Sequence, residues 1–485
     1  MAFWSFVVLV SLLVGYLGYQ LYTPMPEGAE QPWQQNKILA FSTLTGLASL
    51  AAEKVGLDRL NTSRAIQHWL GDIRGSAVVD GITVRLYLRR RAFARQLKDR
   101  VLTTVGSCEP CIPFRRERSS NELSPGKKKS SVEPSHREEQ LFVGGAKRLF
   151  GTPPHGEDNS LTQYDDLVFD GVKVRVFKPV DGATKSDQPA LVFFHGGGFV
   201  FFHPNQYNLL TSTIASVAKL VVVSVDYRLA PEHPYPAGQE DCVTATKYML
   251  RNAGKFGVDP NRIAVAGDSA GGNLAMSVAL KLSKDRRENL PKIKAQVLIY
   301  PFVQGLTLCL PSFHIYGGTG SPSILKTFHT AAGFSLYSKG NIDLMGYFFN
   351  NKHISNDFKA NALQMSYVDQ KLLPAKYRRE IECNADGNET VFEEIKHFIL
   401  DPYFTPLMAA DSDLKPLPKT YVLTAEYDTL RDEGFMLAQR LKNNGVDVVH
   451  IHWEHNFHGF LSFSGSLENG KQALHDVAEY LLRSV

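Results

Sequence analysis

From Leu167 onward, short apolar runs alternate with longer stretches of helical period. The runs ALVFFHGGG (190–198), LVVVSVDY (220–227), RIAVAGDS (262–269), AQVLIYP (295–301), TYVLTAEYD (420–428) and VVHIHWE (448–454) are β-rich and bounded by turn formers. Their near-continuous apolarity predicts strands covered on both faces, as in a parallel sheet. Helical stretches lie between them, such as DEGFMLAQRLKNNG (432–445) with its Gly445 stop signal. Strand-helix alternation predicts a doubly wound, mostly parallel α/β sheet. Residues 306–400 break the rhythm and read as an inserted helical cap.

Upstream of the sheet the pattern is different. Met1 to Pro26 carries no charged side chain, and Ala2 to Tyr22 is long enough to cross a bilayer as a helix. It has no basic leader and ends in Tyr16, Tyr19, Leu21 and Tyr22, which suit a membrane interface, so residues 1–26 read as an uncleaved membrane anchor in contact with lipid. Residues 27–77 contain the apolar, Ser/Thr-rich stretch Ile38 to Leu60 and read as membrane-proximal or cap helices. Residues 78–166 are rich in charge, Ser and Pro, and read as a largely disordered insertion. That insertion opens on VVDGITVRLYL (78–88), a near-copy of VFDGVKVRVFK (168–178), here read as the same short strand written twice. The second copy leads into the 190–198 run, which assigns it to the predicted sheet. The α/β domain is accordingly set at 167–485.

Charge adds one qualification. The net charge of +4 is unevenly spread, with 16 Lys/Arg against 7 Asp/Glu between Arg85 and Arg148. No aromatic-interleaved patch or reading module accompanies this basic stretch, so no nucleic-acid partner is expected. Five cysteines are too few and too scattered for a disulfide framework, and Cys108-Glu-Pro-Cys111 lacks the second pair or histidines that zinc requires. The sequons at Asn61 and Asn388 are candidate glycosylation sites and fit a lumenal body.

The candidate chemistry lies at the predicted strand ends. Gly267-Asp268-Ser269-Ala270-Gly271 is a G-x-S-x-G that follows a strand and opens a helix, the context in which the serine is pushed out above a sheet as a nucleophile. His195-Gly196-Gly197-Gly198-Phe199 ends another strand. The N–H groups of Gly197, Gly198 and Ala270 are the candidate oxyanion donors. A phosphate loop is the competing reading, but neither G-x-G-x-x-G nor Walker spacing is present. Ser…Asp…His chain order points to Asp428, where a strand stops, and to His458, which precedes Gly459. Asp432 and Glu433 read as N-terminal helix charges, and His450 and His452 as packed or solvated residues on one strand face. The histidine series 450, 452, 455 and 458 straddles a strand end without a helical pair, so no metal is expected, and the chemistry calls for no cofactor.

HGGGF, VDYRLAPEHPYPAGQED, GDSAGGN, EYDTLRDEG and FHGF together resemble the motif set of the hormone-sensitive-lipase-like branch of the α/β-hydrolases. With the short N-terminal anchor and TPMPEGAEQPW, the chain is similar to the arylacetamide deacetylase and neutral cholesterol ester hydrolase family over residues 1–75 and 167–485. The resemblance implies an α/β-hydrolase fold and a triad of Ser269, Asp428 and His458. It also implies a cap built from the N-terminal region and residues 306–400, and an endoplasmic reticulum membrane protein with a lumenal catalytic body. The implied activity is serine esterase or deacetylase hydrolysis of lipophilic esters. Two departures stand out: the basic insertion, and Val200-Phe201-Phe202-His203-Pro204 where the family usually has a small-residue turn. Phe199, Phe201 and Phe202 are the candidate substrate wall. The rival reading is a hydrolase relative that binds ligands without turning them over.

Overall fold

The computed structural model describes residues 162–179, 187–318, 323, 325, 327–339, 344–359, 362–382 and 386–485. The expected anchor, residues 27–77, the 78–88 copy, Asn61 and the C-x-x-C pair lie outside the described residues. Among the described residues, no helix is long and apolar enough to cross a membrane.

Among the described residues, eight strands form one sheet: β1 (Thr162–Phe169), β2 (Val172–Pro179), β3 (Gln188–Phe194), β4 (Val221–Asp226), β5 (Val258–Asp268), β6 (Ala295–Ile299), β7 (Lys419–Tyr427) and β8 (Val448–Phe457). Their order is β1-β2-β4-β3-β5-β6-β7-β8, with β2 antiparallel to both β1 and β4 and every later pairing parallel. Every residue of β3 and of β6 is buried, the condition under which a strand reads as a continuous apolar run. The covering helices include α1 (Asn208–Ala218), α2 (Ala237–Asn252) and α3 (Ala270–Lys284). Between β6 and β7 lie α4 (Pro311–Tyr316), α5 (Thr327–Lys339), α6 (Met345–Phe349) and α7 (Glu389–Ile399). After β7 come α8 (Arg431–Asn443) and α9 (Glu468–Ser484). Helix α9 packs against α1, while α2 packs against α3. The stop at Gly445 takes a left-handed φ of 80°.

The repeated strand needs correcting. VFDGVKVRVFK is not one strand but a hairpin, in which Phe169 pairs with Val172 around Asp170 (φ 46°) and Gly171 (φ 92°). Positive φ at both central residues is what a type I′ two-residue turn demands, and Asp-Gly is its favoured sequence. Thr162 to Asp166, five residues ahead of the boundary expected at Leu167 and inside the stretch read as disordered, therefore already belong to the sheet. Arg175 fastens the hairpin through two hydrogen bonds to Asp166, at 2.7 and 2.8 Å, with its guanidinium 4.2 Å from the Tyr164 ring.

Gly171→Ala should destabilise the fold by about 1–2 kcal/mol, the penalty of a Cβ in left-handed backbone. Urea denaturation of the two proteins measures it, and an unchanged midpoint would show that the turn does not need its glycine.

Candidate active site

Strand β5 ends at Asp268, and Ser269 follows at φ 55° and ψ −118° before α3 begins at Ala270. Such backbone is costly for a residue with a Cβ and is over-determined here by its neighbours. The Ser269 N–H donates to Ile299 O at 2.8 Å, and Ser269 O accepts from Asn273 N and Phe302 N, both at 3.2 Å. The turn can be this tight because the glycines admit backbone contact. A Cβ on Gly271 would stand 1.9 Å from Phe194 O, and one on Gly267 would stand 2.3 Å from the Gly271 carbonyl.

Ser269 Oγ lies 2.9 Å from His458 Nε2, and His458 Nδ1 lies 2.8 Å from Asp428 Oδ2. Asp428 is fully buried just past the end of β7, and its Oδ1 accepts the Leu430 N–H at 2.8 Å. The Tyr300 ring packs 4.8 Å from the His458 imidazole. The three residues singled out from chain order thus meet at the C-terminal edge of the sheet. Gly197 (φ 102°) and Gly198 (φ 60°) turn the chain after β3, while Ala270 stands at the first position of α3, where helix geometry leaves its N–H without an intrahelical acceptor.

The loop before the site is anchored from below. Gly196 N–H is shared between Asp268 Oδ1 at 2.8 Å and the Tyr207 hydroxyl at 3.0 Å, and Tyr207 donates its own proton to Asp268 Oδ2 at 3.0 Å. Tyr227 donates to His195 O at 2.7 Å and stacks on the His195 ring. Burial raises the Asp268 carboxyl to about 6, against the pull of Tyr207, His458 and Gly196. It lowers His195 to about 4.

Of the proposed substrate wall, Phe199 stacks on Tyr337 of α5 at 3.8 Å and meets Phe302 edge-on at 6.1 Å. Phe202 meets Tyr207 edge-on at 6.1 Å, and Phe201 donates its N–H to Gly197 O at 3.0 Å. All three are buried. Phe199 and Phe202 also hold left-handed φ values of 64° and 75°.

Asp432 and Glu433 stand in the first turn of α8, as expected, but both are fully buried and tie the start of the β6–β7 insertion to that helix. Glu433 accepts from Val303 N at 2.6 Å and from the Gln304 amide at 3.1 Å, while Asp432 accepts from Ser312 N at 2.7 Å and pairs with Arg431. Burial pushes the Glu433 carboxyl well above its usual range and also raises Asp432. His450 and His452 do share a face, and Thr424 Oγ1 lies 3.0 Å from His450 Nε2 and 2.9 Å from His452 Nδ1. Burial lowers them to about 4 and about 3. Among the described residues, no group of His, Cys, Asp and Glu is arranged to hold a metal ion. Asn388 caps α7, its side chain accepting from Val391 N. Cys309 is disulfide-bonded, a bond that the scattered cysteine spacing does not announce. A cleft of about 350 Å³ lined by Leu250, Leu290, Ile293 and Pro416 lies near the strands' N-terminal ends and includes none of these site residues.

The profile of the alpha/beta hydrolase fold matches residues 191–365 and 375–462, more than half of the chain. Arylacetamide deacetylase from Bos taurus is 37% identical over 329 residues, which cover 65% of this chain and 78% of that one. Neutral cholesterol ester hydrolase 1 from Bos taurus is 38% identical over 310 residues, covering 62% and 74%. The chain belongs to this α/β-hydrolase family. Among solved structures, EstE1, a thermostable carboxylesterase cloned from a metagenomic library, is 30% identical with a TM-score of 0.51, covering 72% of the hydrolase and 98% of that chain. By family, the hydrolase is a carboxylic ester hydrolase.

A carboxyl whose folded pKa is raised contributes stability below its unfolded pKa and loses it as pH rises through the folded value. Glu433→Gln keeps an acceptor for Val303 N without the buried charge. Its unfolding free energy should therefore gain on wild type as pH increases, whereas Glu433→Ala should lose about 1–3 kcal/mol by orphaning that N–H. Denaturation curves between pH 5 and pH 9 test both, and parallel wild-type and Gln curves would rule out the buried charge.

Proposed function

We propose that this hydrolase cleaves lipophilic carboxylic esters through an acyl-enzyme formed on Ser269. The observation carrying this reading is the continuous chain from Ser269 Oγ through His458 to the buried Asp428, at the sheet edge where the serine is held in strained backbone. His458 Nε2 takes the Ser269 proton as Oγ attacks the carbonyl carbon, while Asp428 holds Nδ1–H and stabilises the imidazolium. The oxyanion is received by the N–H groups of Gly197, Gly198 and Ala270. His458 then gives its proton to the departing alcohol. In the second half-reaction it deprotonates a water that attacks the acyl carbon, and the serine is regenerated. No step calls for a metal or cofactor.

A lipophilic substrate is supported by the aromatic surroundings of the site. Phe199, Phe302, Phe334, Tyr337 and Phe404 form a linked ring cluster reaching from the glycine loop into the insertion. Arylacetamides are a second substrate class, suggested by the name of the Bos taurus relative. We further propose a membrane-anchored protein with its catalytic body in the endoplasmic reticulum lumen. The uncharged residues 1–26 and the disulfide at Cys309 support this, since disulfides persist in oxidising compartments.

Ser269→Ala should abolish both turnover of a short p-nitrophenyl ester and labelling by a fluorophosphonate probe. Persistent turnover would exclude the acyl-enzyme, and a wild-type protein that does not label would favour the ligand-binding reading. Asp428→Asn should lower kcat by about 10⁴-fold through a misoriented imidazole. Asp432→Asn should leave catalysis largely intact, and the reverse ranking would reassign the acid. For localisation, endoglycosidase treatment of the cell-expressed protein should increase its gel mobility if Asn61 or Asn388 is glycosylated, and unchanged mobility would remove the sequons as support for a lumenal body.

A further inference from the structure

We propose that Asp268 is a positioning residue for the oxyanion loop, a carboxylate clamp that keeps the glycine donors in register with the adjacent nucleophile. The inference rests on the acyl-enzyme reading above and adds a role that the three reacting side chains do not supply. Two separate segments must agree in position for the site to work. Ser269 and Ala270 are carried by β5 and α3, whereas Gly197 and Gly198 hang from the end of β3. Strand pairing joins β3 to β5 only as far as Phe194 and Gly267. Beyond that point the ladder gives no further register, and the donors lie three and four residues on.

Asp268 fills this gap. It directly precedes the nucleophile, is buried, and has a polar partner on each carboxylate oxygen. Oδ1 accepts the N–H of Gly196, the residue immediately before the first donor, and Oδ2 accepts the Tyr207 hydroxyl. Tyr207 in turn accepts from the same Gly196 N–H, which closes a three-membered ring of hydrogen bonds. Gly196 must be glycine for this approach, since a Cβ there would stand 2.7 Å from Asp268 Oδ2. The loop it restrains needs restraint, because residues 197, 198, 199 and 202 all have positive φ and two of them are phenylalanines. A carboxylate buried here raises its own pKa, a cost that a neutral strand residue would avoid.

The clamp is tested with Asp268→Ala, Asp268→Ser and Asp268→Asn, with turnover expressed per site labelled by fluorophosphonate so that misfolded protein is not counted. Misplacing the donors should lower kcat by about 10²-fold in Asp268→Ala while KM stays within threefold of wild type. Asp268→Ser, whose hydroxyl ends one bond short of Gly196, should behave likewise and stands in if the alanine variant does not fold. Asp268→Asn retains an oxygen acceptor for Gly196 N–H and should recover kcat to within about tenfold of wild type. The clamp is overturned if Ala or Ser turns over per labelled site as wild type does, if the loss falls on KM, or if Asn is as impaired as Ala. Failure of the underlying reading looks different: wild type itself would not label, or Ser269→Ala would still turn over.

Discussion

The structure depends on how closely three pieces of backbone approach one another beneath Ser269. The end of β3, the end of β5 and the first turn of α3 meet where any side chain on Gly267 or Gly271 would collide with main-chain atoms. This contact forces the left-handed turn at Ser269, which lifts the hydroxyl off the sheet and aims the helix start at the same point. Everything polar around the site is arranged on that fixed corner. His458 arrives from beyond β8 and Asp428 from beyond β7, and both reach a serine whose position is set by sterics and not by their own hydrogen bonds.

A second theme is the use of buried carboxylates as fasteners. Asp268, Asp428, Asp432 and Glu433 are all buried, and each receives main-chain or side-chain donors from a segment other than its own or from the turn that follows it. Burying an acid is unfavourable unless its oxygens are satisfied, so each of these groups favours one relative placement of two segments over its alternatives. The result is a site whose parts are located by hydrogen bonds to backbone N–H groups, which substitution elsewhere in the chain does not remove.

The central strands and the serine, aspartate and histidine are legible in the sequence because they produce strong local signals. A fully covered strand such as β3 shows as an unbroken apolar run, and a serine between small residues at a strand-helix junction is hard to account for except as a nucleophile. The β1–β2 hairpin escapes such reading because Asp170-Gly171 sits inside a β-rich stretch, where the turn it encodes looks like an interruption of one strand. The burial of Asp432 and Glu433 escapes it, though not their place at a helix start, because exposed helix-start acids and buried clamp acids have the same local sequence. What distinguishes them is Val303 and Ser312, more than a hundred residues away. Asp268 leaves a fainter trace: a carboxylate ending the apolar run Ile263 to Gly267, which local pattern alone does not connect to Gly196.

One contact reaches from the insertion into this machinery. Gly333 of α5 faces Gly198, and a Cβ on it would come within 3.1 Å of the Gly198 carbonyl oxygen. The tightness is one-sided, since a Cβ on Gly198 itself would meet nothing within 4 Å. A residue larger than glycine at this point of the insertion requires the backbone of a loop in another segment to give by a few tenths of an ångström. Selection for catalysis would then act on the insertion directly, through the space at Gly333, as well as through whatever substrate its aromatic rings admit.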